Sequence, residues 1–291
     1  MKESRYKKFE LTPYIMVLPF FLIFVYFYIV PVFKVLLDSF TNYDMFTKRE
    51  FVAFENYTYM FSDEIFLKSI RNTFVYTICT LVPALALGLG TALLVGSTLI
   101  KTKFSRMFIF MPHVLSMVAI SMIWLTMYEP INGIFNTILD FLGFQKKQWL
   151  MDVNTAMVSL VVMGIWKSTG YYMIVFLSGL KNIPLSYYEA AKIDGSSSFN
   201  TFRKITFPLL NSTSSFLFIT GVIASFNVFE QVNIMTNGGP MYATTTVVHQ
   251  IYTKGFTEYK LGYASAMSVF MLVIVVIITA INFKLTRNEE A

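Results

Sequence analysis

Residues 72–100 read NTFVYTICTLVPALALGLGTALLVGSTLI, 29 positions without one Asp, Glu, Lys or Arg. A bilayer core about 30 Å thick is crossed by roughly 20 apolar residues in a helix. Within this stretch Ala84, Gly88, Ala92 and Gly96 recur every fourth residue. That spacing puts small side chains on one helix face, where another helix can approach closely.

Similar windows lie on both sides. Residues 11–33, 107–128, 205–229 and 261–283 are also free of the four charged types, and Lys167 alone interrupts the apolar character of 153–180. Six membrane-crossing helices follow, because a helix satisfies its own backbone groups inside lipid. The fold class is therefore all-α and integral to the membrane. Residues 231–253 carry no charge either, but Asn233, Asn237, Gly238, Gly239, Pro240 and three consecutive threonines suit a loop outside the cytoplasm. The first span exceeds the h-region of a cleaved signal peptide and should persist as a helix, bent or tilted around Pro19 and Pro31.

Composition agrees. Of the 291 residues 55% are hydrophobic and 14% charged, against roughly 25% charged in soluble domains. One cysteine, Cys79, and two histidines, His113 and His249, exclude a disulfide framework and a Cys/His metal cluster. Cys79, in an apolar run, reads as a small core residue. With the N-terminus in the cytoplasm, 13 basic residues fall inside (Lys2, Arg5, Lys7, Lys8, Lys101, Lys103, Arg106, Lys181, Lys192, Arg203, Lys204, Lys284, Arg287) and 8 outside. This bias predicts that both termini are cytoplasmic. It also accounts for the net charge of +6 without nucleic acid.

On this map SYYEAAKIDGSSSFNTFRKITFPLL, from Ser186 to Leu210, faces the cytosol between the fourth and fifth spans. Ser186 and Glu189 have the spacing of a capping box, which starts a helix at Tyr187. Gly195 ends it in the left-handed conformation, and Ser197 or Ser198 caps a second helix. Ala190 and Ala191 on the surface would let another chain approach, with Tyr188 and Ile193 as apolar contacts and Glu189, Lys192 and Asp194 as a polar rim. The helix then fits a socket on another protein. The same residues also describe an ordinary capped helix lying at the headgroups.

Glu189-Ala190-Ala191, then Gly195, then Ile205-x-Phe207-Pro208 resembles the "EAA" loop of permease subunits in ATP-binding-cassette importers, with Phe207 in place of the usual Leu. Asp194-Gly195, the run Thr236 to Pro240, FVAFENY (Phe51 to Tyr57) and RNT (Arg71 to Thr73) resemble the carbohydrate-uptake, maltose-type members. The resemblance covers nearly the whole chain. It implies a type I importer permease fold, with residues 1–66 as a cytosolic tail, first helix and extracytoplasmic segment. The permease core would occupy 67–285, with its coupling loop at 181–210, and 286–291 would form a cytosolic tail. Tyr188, Glu189, Ala190, Ala191, Asp194 and Gly195 would dock on the ATPase. The implied partners are a second homologous permease subunit, a dimeric cytosolic ATPase that holds ATP and Mg, and an extracytoplasmic solute-binding protein. The chain itself would bind carbohydrate and lipid, and no cofactor or metal. It has no G-x-x-x-x-G-K-[ST] phosphate loop and no supported Ser/His/Asp arrangement, so it reads as a non-catalytic subunit.

Polar residues inside spans are candidates for the solute path. Gly164, Lys167, Ser168 and Tyr171 share one helix face at i, i+3, i+4 and i+7, just after Trp166. Asn227, Glu230 and Gln231 share about a third of the circumference of the fifth span, with Asn233 at its edge. Lys167 and Glu230 would either pair as a staple between spans or touch solute. The resemblance places sugar contacts at Met117, Gly164, Lys167, Ser168, Tyr171 and residues 225–229, where Phe226 and Phe229 suit ring faces and Asn227 suits hydroxyls. For each aromatic, ordinary helix packing is the competing reading. A different class, an ion-coupled secondary transporter using Lys167 and Glu230, would favour inverted repeats, and none is visible.

Overall fold

The computed structural model describes residues 12–96 and 103–287. Lys2, Arg5, Lys7, Lys8 and Lys101, with most of the two expected tails, lie outside the described residues. Helix α1 (Thr12–Phe24) passes through a π-helical turn (Val25–Ile29) into α2 (Val30–Asp38). The widened turn ends two residues before Pro31, whose missing N–H cannot complete an α-helical ladder. Pro19 is carried within α1. This first span packs through α2 against the last helix, and none of its most apolar window is buried in the chain.

Helix α3 (Glu55–Ser62) leads to α4 (Glu64–Gly96). Asp63 starts α4: its Oδ1 accepts the N–H groups of Ile65 at 2.9 Å and Phe66 at 3.3 Å. The 33 residues of α4 span about 50 Å, well beyond the hydrocarbon layer. Of the small-residue stripe, Ala84, Gly88 and Ala92 are buried as expected, while Gly96 at the end of the helix is exposed. A Cβ added at Gly88 would sit 2.5 Å from Cβ of Tyr172 on the fourth span. Cys79, expected in the core, is exposed on the opposite side of α4.

The third span departs from expectation. Rather than one helix over 107–128, α5 (Lys103–Val114) and α6 (Met117–Met127) meet at 98°. Ser116, at φ −56° and ψ 135°, leaves helical geometry four residues after a ladder donor is lost at Pro112. Apolarity alone carries no information about such a break. Helix α7 (Ile134–Phe141) follows, and its buried Asn136 closes the next loop by donating to the carbonyls of Pro130 and Lys147 and accepting from Trp149 Nε1. Helix α8 (Ala156–Asn182) returns across the bilayer.

After α9 (Leu185–Ile193), α10 (Ser198–Thr201), a second π turn (Phe202–Thr206) and α11 (Phe207–Leu209) form an irregular entry to α12 (Asn211–Phe226). The chain breaks at 227–229 and resumes as α13 (Glu230–Met235), then α14 (Val247–Tyr252), a π turn (Thr253–Thr257) and α15 (Leu261–Arg287). Residues 231–253 are thus not a surface loop. Thr244, Thr245 and Thr246 are fully buried. Thr246 Oγ1 donates to Val228 O at 3.0 Å and Thr73 Oγ1 accepts from Val247 N at 3.0 Å, so the buried threonines of this segment bond to distant elements.

Among the described residues five helices are long and apolar enough to cross a membrane, six if the bent α5–α6 pair counts as one. They enclose two apolar cores. The larger joins α4, α8, α12 and α15 around Leu81, Met173, Phe176, Leu217 and Met267; the smaller joins α4, α6, α8 and α13 around Ile120, Trp124, Leu160, Met163 and Val232.

Candidate functional site

The α8–α10 connection begins one residue pair earlier than expected. Pro184 is the N-cap of α9 and no side chain caps it, so Ser186 already lies in the first turn and its capping box with Glu189 does not form. The far end follows the sequence. Gly195 has φ +69°; its N–H reaches Lys192 O at 3.2 Å, and that of Ser196 reaches Ala191 O at 2.9 Å. These two bonds are a Schellman closure, which an L side chain at Gly195 would strain. Ser197 caps α10, its Oγ accepting from Asn200 N at 3.4 Å.

Ala191 is buried in the chain rather than presented outward. Tyr188 is half-buried, and its hydroxyl lies 3.2 Å from Thr206 Oγ1, tying α9 to the entry of α12. What remains exposed is the stripe Ser186, Glu189, Ala190 and Ile193, at i, i+3, i+4 and i+7, flanked by Lys192 and Asp194. Ile193 is 86% exposed. The helix is thus a knob with a large exposed apolar tip, fastened from behind.

The candidate solute residues are distributed differently from the expected faces. Gly164 is buried against α4, where a Cβ would lie 2.5 Å from Tyr76 Oη, so it offers no surface to a solute. Lys167 does not pair with Glu230. Its Nζ donates to the carbonyls of Leu115 at 2.8 Å, Pro112 at 3.2 Å and His113 at 3.3 Å, at the α5–α6 break. Tyr171 stacks on His113 with centroids 4.9 Å apart and planes at 19°. Ser168 is half-buried beside them, and Met117 opens α6 against the smaller core.

The arc expected for Asn227, Glu230 and Gln231 is divided by the break at 227–229. Asn227 and Glu230 are exposed, and Asn227 Nδ2 caps Ile223 O at 2.7 Å. Gln231 turns inward, 2% exposed, and donates from Nε2 to Tyr76 Oη at 2.7 Å. Asn233 is half-buried. Phe226 is buried edge-on to Phe74, with centroids at 5.2 Å, which is packing and not an open ring face. Phe229 is half-buried, its centroid 4.9 Å from that of Tyr252.

A protein family described as binding-protein-dependent transport system inner membrane component matches residues 84–288. The chain belongs to that family. Over 290 residues it is 34% identical to the probable ABC transporter permease protein YesP of Bacillus subtilis, covering 98% of this chain and 93% of that one. It is 33% identical to the sn-glycerol-3-phosphate transport system permease protein UgpA of Agrobacterium fabrum, covering 96% of each. The diacetylchitobiose uptake system permease protein NgcF of Streptomyces coelicolor is 32% identical, over 91% of this chain and 79% of that one. In fold, the chain superposes at a TM-score of 0.85 on a chain of a bacterial ABC transporter involved in the import of the acidic polysaccharide alginate, covering 95% of both at 22% identity. The type I importer permease fold expected from the sequence is the fold observed, in a multi-pass inner membrane component.

Two features of this family member escaped the reading of its sequence. The Tyr76–Gln231 bond joins residues 155 apart, and the pairing of Lys167 with carbonyls depends on a helix break. Pro112, with Ser116 four residues on, was the local signal for that break.

Proposed function

We propose that this chain is one permease half of an importer that carries a carbohydrate, an oligosaccharide, into the cytoplasm by alternating access. ATP hydrolysis on a separate ATPase, which holds the nucleotide and Mg, drives the cycle. The observation that carries the reading is the outward stripe of α9. A Schellman closure at Gly195 and the Tyr188–Thr206 contact hold the helix in place, while its apolar tip Ile193 stands exposed among the described residues. Such a knob transmits movement of a docked ATPase to α8 and α12, the two spans it joins.

The carbohydrate class is supported by the named cargo of one relative, diacetylchitobiose, with alginate for the fold neighbour, whereas the sn-glycerol-3-phosphate of another is a phosphorylated polyol. The alginate transporter has also been solved with a pentasaccharide-bound periplasmic protein, which supports an extracytoplasmic receptor for this chain. A second, homologous permease would complete the path. Both termini would face the cytoplasm, and Ser168, Asn227, Phe229 and Glu230 retain surface for solute. Nothing in the geometry favours ion coupling through Lys167 and Glu230, which do not meet.

The test is reconstitution of the chain with its partner permease, ATPase and receptor in proteoliposomes, assayed with labelled di- to tetrasaccharides. Uptake should require receptor on one side and ATP on the other, and should resist ionophores. Accumulation driven by an ion gradient with the ATPase omitted would replace this reading with a secondary transporter.

A further inference from the structure

The 98° turn between α5 and α6 ends the α5 ladder, so its last carbonyls have no next turn to receive. Inside a membrane such groups are costly unless something donates to them. Lys167 supplies the donors. An ammonium has three N–H groups, and three carbonyls, of Pro112, His113 and Leu115, lie within 3.3 Å of Nζ. The cation also sits at the negative end of the α5 dipole. With all three donors engaged, none is left for a sugar hydroxyl.

Two neighbours on α8 hold the same place. Tyr171, one turn on, stacks on His113. Gly170 lies so close to the α5 backbone that a Cβ would overlap the Ile109 carbonyl. Beyond the break α6 meets α8 through side chains, with the centroids of Trp124 and Trp166 5.5 Å apart, and no α8 donor binds its backbone among the described residues. Helix α6 also packs on α13, which itself follows the break at 227–229. Ile109 and Phe226 belong to the larger core, whereas Ile120, Val228 and Val232 belong to the smaller one. Both breaks therefore fall on the boundary between the two cores, with α6 and α13 together on one side.

We propose that Lys167 is a positioning residue: by binding the freed carbonyls it sets the angle at the α5–α6 break and thereby the placement of the α6–α13 pair. Its consequence for transport rests on the importer reading; the angle itself does not. Each lost charge-assisted hydrogen bond should change the ratio of bent to straightened break about tenfold.

The test uses the assembled complex in lipid nanodiscs, with Cys79→Ser and spin labels at two exposed sites, Phe108 on α5 and Met122 on α6. In the unmodified background one narrow distance is expected. Lys167→Met should shift and broaden it, Lys167→Gln should give an intermediate result, and Lys167→Arg, which keeps a cation with several donors, should restore it. Glu230→Gln should leave it unchanged. A wild-type distribution in Lys167→Met overturns the proposal, as does failure of Lys167→Arg to restore it, or a Glu230→Gln shift equal to that of Lys167→Met. If Lys167→Met does not assemble, the Gln and Arg variants decide by the same criterion. Saccharide uptake by the unsubstituted complex is measured in parallel. Its absence would refute the importer reading, while the distances alone decide the role of Lys167.

Discussion

Replacing Gly164 by alanine adds a methyl group where α8 meets α4. That carbon would sit 2.5 Å from Tyr76 Oη and 2.9 Å from Thr80 Cγ2, both inside normal contact. Tyr76 is only 3% exposed and packed within the smaller core, so its ring has no free space to enter. Relief must come from separating the helices or moving the hydroxyl away from Gln231 Nε2, now 2.7 Å distant. Overpacking of this kind costs about 1–3 kcal/mol. Leaving the buried Gln231 amide unpaired costs about 1–3 kcal/mol more. Tyr76→Phe alone should incur only the second cost. In the double variant the nearest clashing atom is gone, so its loss should approach that of Tyr76→Phe and fall short of the sum by most of the Gly164→Ala loss, about 2 kcal/mol or more. Thermal unfolding of the purified complex at fixed detergent and lipid would read this as a difference of several degrees. Losses that add within about 0.5 kcal/mol, or Gly164→Ala unfolding at the wild-type temperature, would refute the reasoning.

Gly195 has no atom near its missing Cβ, so Gly195→Val introduces backbone strain alone, about 1–2 kcal/mol at φ +69°. The chain should still insert and assemble, but receptor-stimulated ATP hydrolysis should fall; wild-type stimulation at equal expression would contradict a docking role for α9. Single cysteines at the exposed positions Lys146 and Lys260 should label from outside, and one at Lys192 only after permeabilisation, whereas external labelling at 192 would invert the topology. A cysteine at Lys254 should react poorly, because the side chain at that position is largely covered. His249, between Thr245 Oγ1 at 3.2 Å and Asn237 Oδ1 at 3.4 Å, is held by burial below its ordinary pKa of 6.5. The unfolded chain therefore takes up a proton first. Stability should be complete above about pH 6.5 and fall as the pH drops below it, until the folded imidazole also titrates. His249→Gln should flatten the thermal midpoint between about pH 7.5 and pH 5.5, and an unchanged slope in that variant would assign the effect to another group.

Composition and periodicity alone determined the membrane class and the approximate extent of the spans. Lipid imposes a length and an apolarity that 72–100 or 261–283 display without any partner. The Ala84–Gly88–Ala92 face and the turn at Gly195 were equally legible, since each follows from a side chain's size or a backbone's local freedom. The start of α9 was not, because Pro184 displaced a capping box whose spacing was correct. Nor was the burial of Thr244–Thr246, whose hydroxyls find backbone partners on distant elements. The solute face depended most on tertiary structure. A break at 227–229 turns Gln231 toward Tyr76 while leaving Glu230 outside, and a break after α5 gives Lys167 three carbonyls in place of a carboxylate. Residue spacing predicts a shared face only while the helix is continuous, and where these helices stop was decided by which buried donors and acceptors the neighbouring spans could supply.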